Sequence, residues 1–210
     1  MSDLQGLISS AAPSEAFSLD ALRAGDRGEF SRLVDAYSGR LYRLALKMLN
    51  HPQDAEDVLQ ETFIKAFRHI KNFDGRASIS TWLYRIATNE ALMVLRRKHP
   101  DTISIEEPDA TDEDQEPLEV VDFCCIPETE LLNDEVRQTL DQAVTRLPAS
   151  LRTVFLLRDV EGLSTQEAAD VLGLSETALK TRLSRARLRL RQFLSVYYAD
   201  KMDGKNYATS

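Results

Sequence analysis

The sequence GLSTQEAADVLGLSETALKTRLSRARLRLRQFL, residues 162–194, predicts two helices joined by a tight turn. Ser164 followed by Glu167 is a capping box, which satisfies free amides at a helix start. Gly173 can take the left-handed conformation that ends a helix, and Ser175 can cap the next one. That second helix has one apolar face and six basic residues on its other sides, Lys180, Arg182, Arg185, Arg187, Arg189 and Arg191. The pattern is typical of a helix-turn-helix that enters a major groove, although a solvated basic helix would show the same charge.

The composition of the whole chain favours helices and explains an unexpected net charge. Only 8 glycines and 7 prolines occur in 210 residues, and 43% of the residues are hydrophobic, which predicts an all-α protein; the length suits one large or two small domains. The net charge of −8 is unusual for a DNA-binding protein. However, 14 acidic residues lie between positions 101 and 135, where there is no Lys or Arg, which leaves 26 basic against 20 acidic residues elsewhere. The chain outside residues 101–135 is therefore net positive and can bind DNA phosphates.

Several classes of function lack their sequence signals. We find no phosphate-binding glycine loop, no metal-spaced Cys/His cluster and no nucleophile–base arrangement, which predicts a protein without catalytic activity or cofactors. Neither a signal peptide nor an apolar run of membrane-spanning length is present. The adjacent Cys124 and Cys125 do not form a disulfide framework, so a cytoplasmic location is expected. Whether these two thiols sense oxidants or metals stays open.

Two amphipathic helices are predicted in the N-terminal half after a flexible arm at residues 1–18. Asp26 can cap the first, whose expected buried stripe comprises Phe30, Leu33, Val34, Tyr37, Leu41, Leu44, Ala45 and Met48. The second is expected over Asp54–Lys71, with a core stripe of Leu59, Phe63, Ala66 and Ile70. Its other face carries acidic residues around Ile64. Such a face is usually only solvated, but it could also dock a basic partner helix.

A polar loop, Asn72–Ser80, precedes a further helix predicted over Thr81–Lys98. The residues expected to face inward are Leu83, Ile86, Ala87, Ala91 and Val94. Trp82 and Tyr84 stand at the start of this helix, and Arg85, Asn89 and Arg96 lie on another face. Aromatic residues here can belong to the core. Together with the cations they also describe a platform on which single-stranded bases stack.

Three motifs in this order resemble a bacterial RNA polymerase sigma factor of the extracytoplasmic-function (ECF) group, which keeps regions two and four of larger sigma factors. The motifs are AEDVLQETFIKAF, NFDGRASISTWLYRIATNEALMVLRRK and RDVEGLSTQEAADVLGLSETALKTRLSRARLRL. The resemblance implies region two at residues 19–98, an acidic linker at 99–133, region four at 134–198 and a flexible tail at 199–210. It also implies a stress-responsive factor that binds core RNA polymerase, directs promoter-specific initiation and is held by an anti-sigma factor, without membrane contact of its own.

The resemblance also assigns roles to individual residues. Contacts with polymerase, on the coiled coil of its largest subunit and its flap region, would involve Asp54, Asp57, Gln60, Glu61 and Ile64. The melted −10 element would be read by Asn72, Phe73, Ser78, Trp82, Arg85, Asn89, Arg96 and Arg97. The −35 duplex would be read by Ser175, Thr177, Ala178, Lys180, Thr181, Arg182 and Arg185. One departure concerns the −35 helix, because the family often has Gly-Thr-Val before the lysine where this chain has Thr-Ala-Leu.

The acidic segment between the two regions leaves several interpretations open. Its apolar patch, Val120, Val121, Phe123 and Ile126, could dock in a groove or belong to a passive spacer. We also hypothesise that residues 101–135 shield the basic DNA-reading faces of the free protein. Two rival functions remain at the level of sequence: a dimeric helix-turn-helix regulator that binds an operator, and a protein-interaction module without DNA function.

Overall fold

A computed structural model describes residues 17–98 and 134–206 of the chain. Throughout these residues the regular structure is helical. The N-terminal group consists of α1 (Leu19–Ala24), α2 (Arg27–Leu49), α3 (Pro52–His69) and α4 (Ile79–Lys98), with a 3-10 turn at Ile70–Asn72. The C-terminal group consists of α5 (Asp134–Arg146), α6 (Ala149–Phe155), α7 (Thr165–Leu172) and α8 (Glu176–Asn206), with a π turn at Leu156–Val160. The predicted all-α class and two helical groups are confirmed.

The helix boundaries follow from local capping chemistry. Asp26 Oδ1 accepts a hydrogen bond from the Glu29 amide at 2.9 Å and starts α2. Asn50 ends α2 in the left-handed conformation, with φ of 52°. The His51 Nδ1 then accepts from the Asp54 amide at 3.3 Å and caps α3, a role that the sequence analysis did not assign to it.

The core of the N-terminal group is formed where α2, α3 and α4 pack together. The predicted stripe of α2 is largely confirmed, except that Phe30 and Val34 are only half-buried. The stripe predicted for α3 is confirmed at Ala66 and Ile70, which are buried, but not at its other two positions. Leu59 and Phe63 are half-buried, and the buried positions of α3 are Ala55, Val58, Thr62 and Ala66. These small side chains let α3 approach α2 and α4 closely, whereas the two larger ones line a surface groove beside α2.

The two helical groups pack against each other, which the sequence analysis did not anticipate. Helix α4 lies against α7, and α2 lies against α5 and α6. Tyr84, Leu92 and Leu95 were not among the predicted core residues, yet they are buried. Ile86 and Val94, which were among them, are half-buried. The difference arises because α4 has two packed faces, and its second face meets a helix from the other end of the chain.

Side-chain hydrogen bonds connect the two groups in the described parts of the chain. Tyr84 Oη donates to Glu161 at 2.6 Å, and Thr81 Oγ1 donates to Glu167 at 3.1 Å. Lys47 Nζ donates to Asp141 at 2.8 Å, while Arg152 donates to the Met48 carbonyl at 2.8 Å. Burial, followed by the neighbouring Glu161, raises the pKa of Tyr84, so its hydroxyl stays protonated and remains a donor.

The C-terminal group confirms the predicted helix-turn-helix. Ser164 and Glu167 form both reciprocal bonds of the capping box, and Gly173 ends α7 with φ of 66°. Ser175 Oγ accepts from the Ala178 amide at 3.2 Å at the start of α8. The tail expected from residue 199 begins within α8, which continues to Asn206. No proline lies between Glu176 and Asn206, so each backbone amide can take part in the helix.

Candidate nucleic-acid and protein interfaces

The acidic face predicted on α3 is present, but its members differ in availability. Asp57 and Gln60 are exposed, and Ile64 is 39% exposed, an unusual fraction for a large apolar residue. Asp54 forms an ion pair with Lys98, and Glu61 lies 3.6 Å from Lys65. The side chains most available to a partner are therefore Asp57, Gln60 and Ile64, at the centre of the face.

Lys65 links this face to α4. Its Nζ donates to Glu90 at 2.6 Å, and this hydrogen bond is the main reason why the pKa of Lys65 is raised. The cation thus stays charged and holds the two helices in register. A polar groove runs between them and is lined by Asp57, Glu61, Arg97 and their neighbours.

An apolar groove on the other side of α3 was missed by the sequence analysis. It has a volume of about 580 Å³ and lies between α2 and α3, lined by Phe30, Val34, Leu59, Phe63, Ile64 and Phe67 among others. Phe67 is 44% exposed and its ring contacts that of Phe30 edge to face at 5.0 Å. The spacing of Gln60, Ile64 and Phe67 along one side of α3 was the available signal.

Most of the predicted −10 residues follow one side of α4. At about 100° per residue, this side contains Ser78, Trp82, Arg85, Asn89 and Arg96. Arg85, Asn89 and Arg96 are exposed, and Trp82 is half-buried. Arg97 lies about a quarter turn away and lines the polar groove beside α3, so the structure does not group it with the others.

The loop before α4 is fixed by contacts at both of its ends. Arg23 of α1 donates from Nε and Nη2 to the Phe73 carbonyl at 3.0 and 2.7 Å. Ser78 Oγ accepts from the Thr81 amide at 3.1 Å and so caps α4. Asn72 and Ser78 are exposed on this loop, but Phe73 is only 7% exposed, with its ring centroid 5.0 Å from that of Trp82. In this packing Phe73 supports Trp82 and offers little surface to a base.

The predicted −35 residues occupy the first three turns of α8. Ser175, Thr177, Lys180 and Thr181 are exposed, whereas Ala178, Arg182 and Arg185 are half-buried. Thr181 Oγ1 donates to the Thr177 carbonyl at 3.0 Å, and Lys180 lies 3.7 Å from Glu176. Leu179, Leu183 and Ala186 hold the opposite side of the helix in the core. The polar side of α8 therefore projects from a rigid base.

Several features that would indicate other functions are not seen in the described parts of the chain. Within residues 17–98 and 134–206, no group of three or more His, Cys, Asp or Glu is arranged to hold a metal ion. None of the helices there is long and apolar enough to cross a membrane. The acidic segment, with its apolar patch, Cys124 and Cys125, lies outside the described residues, as do residues 1–16 of the predicted arm.

Comparison with known protein families gives matches to both helical groups. Residues 33–100 match sigma-70 region 2, and residues 137–190 match sigma-70 region 4. The chain is 35% identical to the ECF RNA polymerase sigma factor SigW of Bacillus subtilis over 82% of this chain and 92% of that protein. It is 37% identical to the RNA polymerase sigma-H factor of Pseudomonas aeruginosa, over 80% of this chain and 88% of that protein.

Solved structures show the same arrangement of helices. CnrH, in complex with the cytosolic domain of CnrY, has 25% identity and a TM-score of 0.61, covering 85% of this chain and 95% of that one. The sigma factor RpoE of Bartonella quintana, in complex with the anti-sigma factor NepR, has a similar fold, with 23% identity and a TM-score of 0.58, over 80% of this chain and 98% of that one. From both family regions and the extent of the sequence matches, the chain belongs to the ECF group of sigma-70 family sigma factors.

Proposed function

We propose that this sigma factor docks on core RNA polymerase through α3 and reads promoter DNA through one side of α4 and the first turns of α8. The observation that carries the proposal is the placement of these three polar surfaces on the exposed sides of helices whose opposite sides are buried. Such surfaces are held rigidly, as selective contacts require. Residues 19–98 would then act as region two and residues 134–198 as region four.

On α3, the centre of the docking surface comprises Asp57, Gln60 and Ile64, flanked by Asp54 and Glu61. An acidic rim around an exposed apolar side chain suits a basic helical hairpin, because the charges guide association while the apolar contact excludes water. The partner that fits is the coiled coil of the largest polymerase subunit. The flap region of polymerase is the proposed second contact, made by region four.

On α4, the exposed Arg85, Asn89 and Arg96 can hold a strand backbone while Trp82 lies beside the loop that contains Asn72 and Ser78. Single-stranded DNA is bound by such combinations of cations and aromatic faces. Unstacking costs a few kcal/mol per base, which contacts to an extruded base can offset. Strand opening at the −10 element would then require binding energy only, without a catalytic group or cofactor in this chain.

On α8, the exposed Ser175, Thr177, Lys180 and Thr181 would meet base edges and phosphates of the −35 duplex, with Arg182 and Arg185 on the flank. Ala178 offers only a methyl group, which can contact a thymine methyl but cannot form a side-chain hydrogen bond. We further infer a cytoplasmic location and control by an anti-sigma factor. The complexes of CnrH with CnrY and of RpoE with NepR support a partner protein of this kind.

The −35 assignment is tested with a double variant, Arg182→Ala with Arg185→Ala. Each lost phosphate contact should reduce the slope of log K against log salt by about 0.9, since fewer counterions are released on binding. Binding of a −35 duplex should weaken, while binding of core polymerase stays unchanged. Arg43→Ala with Arg146→Ala removes the same charge from exposed sites elsewhere. A wild-type affinity and salt slope in the α8 variant would show that these arginines do not contact DNA.

A further inference from the structure

One basic residue of α8 is held by a carboxylate of the preceding connection. Arg187 donates from Nε to Asp159 Oδ2 at 2.9 Å and from Nη2 to Oδ1 at 2.8 Å. This bidentate geometry is the strongest arrangement that an arginine and a carboxylate form. The side chains are 24% and 20% exposed, so the pair is shielded from solvent more than an ordinary surface ion pair.

The π turn places Asp159 opposite α8. The Glu161 amide donates to the Leu156 carbonyl at 2.9 Å, five residues earlier, so this turn is wider than a regular helical turn. Leu156 and Leu157 fill the core beneath it. With these two leucines inward, Asp159 lies beside Arg187, in the N-terminal half of α8.

Arg187 lies at the edge of the polar side of α8, between Lys180 and the core residue Leu194. It follows Lys180 by seven residues, which places it about 20° away around the helix and about 10 Å further along it. Lys180 is exposed and belongs to the proposed −35 surface. A long cation in this position could therefore reach a phosphate at the edge of the groove if Asp159 did not hold it.

Arg185 and Arg189 of α8 are not held in this way. Among the described residues, no carboxylate lies within ion-pair distance of Arg185 or Arg189, and Arg189 is exposed. Lys180 forms a long ion pair, at 3.7 Å, with the exposed Glu176. The bidentate pair thus distinguishes Arg187 from Lys180, Arg185 and Arg189 on the same helix.

We propose that Asp159 is a specificity-determining residue, which keeps Arg187 away from the DNA backbone and so lowers binding to non-promoter DNA. Non-specific binding comes almost entirely from phosphate contacts, whereas specific binding also draws on contacts with bases. Keeping one cation away from the phosphates therefore removes a larger fraction of the non-specific binding energy than of the specific binding energy. Because many non-promoter sites compete in a genome, the ratio of the two affinities matters more than either alone. The inference rests on the proposed role of α8 in reading the −35 element.

The test measures binding of the full-length protein to a −35 duplex and to a scrambled duplex over a range of salt concentrations. Asp159→Asn keeps the shape of the side chain but removes the charge that holds Arg187. It should bind the scrambled duplex several-fold more tightly at low salt, and its salt slope should become steeper by about 0.9. Discrimination between the two duplexes should fall. Asp170→Asn makes the same change of net charge at an exposed site on α7 and should not alter the slope.

Two further variants separate this role from a purely structural one. Arg187→Gln should leave the wild-type salt slope unchanged, because Arg187 makes no phosphate contact when Asp159 holds it. In the Asp159→Asn background, Arg187→Gln should abolish the gained affinity and slope. A lower slope in the single Arg187→Gln variant would overturn the proposal, since Arg187 would then contact phosphate in the wild-type complex.

Arg185→Ala, measured in the same assay, tests whether α8 binds DNA at all. A lower slope for Arg185→Ala together with no change for Asp159→Asn would overturn the role of Asp159 and leave the −35 assignment intact. If both Arg185→Ala and Asp159→Asn leave every slope unchanged, α8 does not meet DNA and both proposals fail. Thermal unfolding of each variant checks that the helix-turn-helix stays folded. If Asp159→Asn does not fold, the salt slope of Arg187→Gln still tests whether Arg187 contacts phosphate in the wild-type complex.

Discussion

At the scale of single residues, Glu167 takes part in two separate structural contacts. Its carboxylate accepts from the Ser164 amide at 2.9 Å to complete the capping box, and it also accepts from Thr81 of α4 at 3.1 Å. The hydrogen bonds with Ser164 are the main reason why the pKa of Glu167 is lowered. One side chain therefore supports both the start of α7 and the contact between the two helical groups.

We expect Ser164→Ala to lower the free energy of unfolding of the C-terminal group by about 1 kcal/mol, which is typical for the loss of a helix N-cap. Urea unfolding followed by circular dichroism measures this difference. Ser195→Ala serves as the control, because Ser195 is exposed late in α8 and bonds only to Gln192 of its own helix. Equal stability of Ser164→Ala and the wild type would contradict the role of the capping box.

The stability of this helix start should also depend on pH. A carboxyl whose pKa is lowered in the folded state stabilises the fold above its ordinary pKa, here 4.5, and this contribution is lost as the pH falls through the folded-state value. We therefore expect wild-type stability to fall below pH 4.5 more steeply than that of Glu167→Gln. Identical pH profiles for the two proteins would show that Glu167 contributes nothing through its charge.

At the scale of helices, α3 has one surface for the core and another for a partner. Asp57 and Gln60 are exposed on the second surface, beside the partly exposed Ile64 and Phe67. We expect Asp57→Lys with Gln60→Ala to weaken binding of core polymerase several-fold or more, because a like charge would meet the basic coiled coil. Asp35→Lys reverses an exposed charge on α2 and is the matched control. Surface plasmon resonance with immobilised polymerase would detect the loss, and full retention of affinity would exclude this docking surface.

Local patterns predicted the helices well and predicted their packing less well. Capping residues such as Asp26, Ser164 and Ser175 act on their own helix, so the sequence alone indicates where helices begin. The core of α3 was misjudged because large apolar side chains were expected inward, whereas close helix contact selects Ala55 and Thr62. The burial of Tyr84 depends on α7, which lies far away in the chain and has no local signal on α4.

At the scale of the whole molecule, the contact between the two helical groups limits how far apart their DNA-reading surfaces can be. By their labels the −35 and −10 elements lie about 25 base pairs apart, which is roughly 85 Å of duplex at 3.4 Å per base pair. A compact domain of this size has a radius of gyration of roughly 17 Å. We therefore expect α4 and α7 to separate when both elements are bound at once.

Energy transfer between dyes attached at the exposed positions Gln53 and Gln142, each changed to cysteine, can follow this separation, with Cys124 and Cys125 changed to serine. Transfer should be high in the free protein and should fall when polymerase and promoter DNA bind. Tyr84→Phe with Glu161→Gln removes the shortest hydrogen bond between the groups and should lower transfer in the free protein. Transfer that stays high in the complete promoter complex would contradict the expected opening.

Promoter-dependent initiation is tested most directly by run-off transcription with core polymerase and this protein on a library of DNA fragments. We expect new transcripts that begin at defined sites downstream of paired −35 and −10 elements, and we expect them to disappear with Asp57→Lys plus Gln60→Ala. A dimeric operator-binding regulator, or an interaction module without DNA function, would create no new start sites with core polymerase alone. The absence of new start sites, with a protein that binds polymerase normally, would contradict the function proposed for this chain.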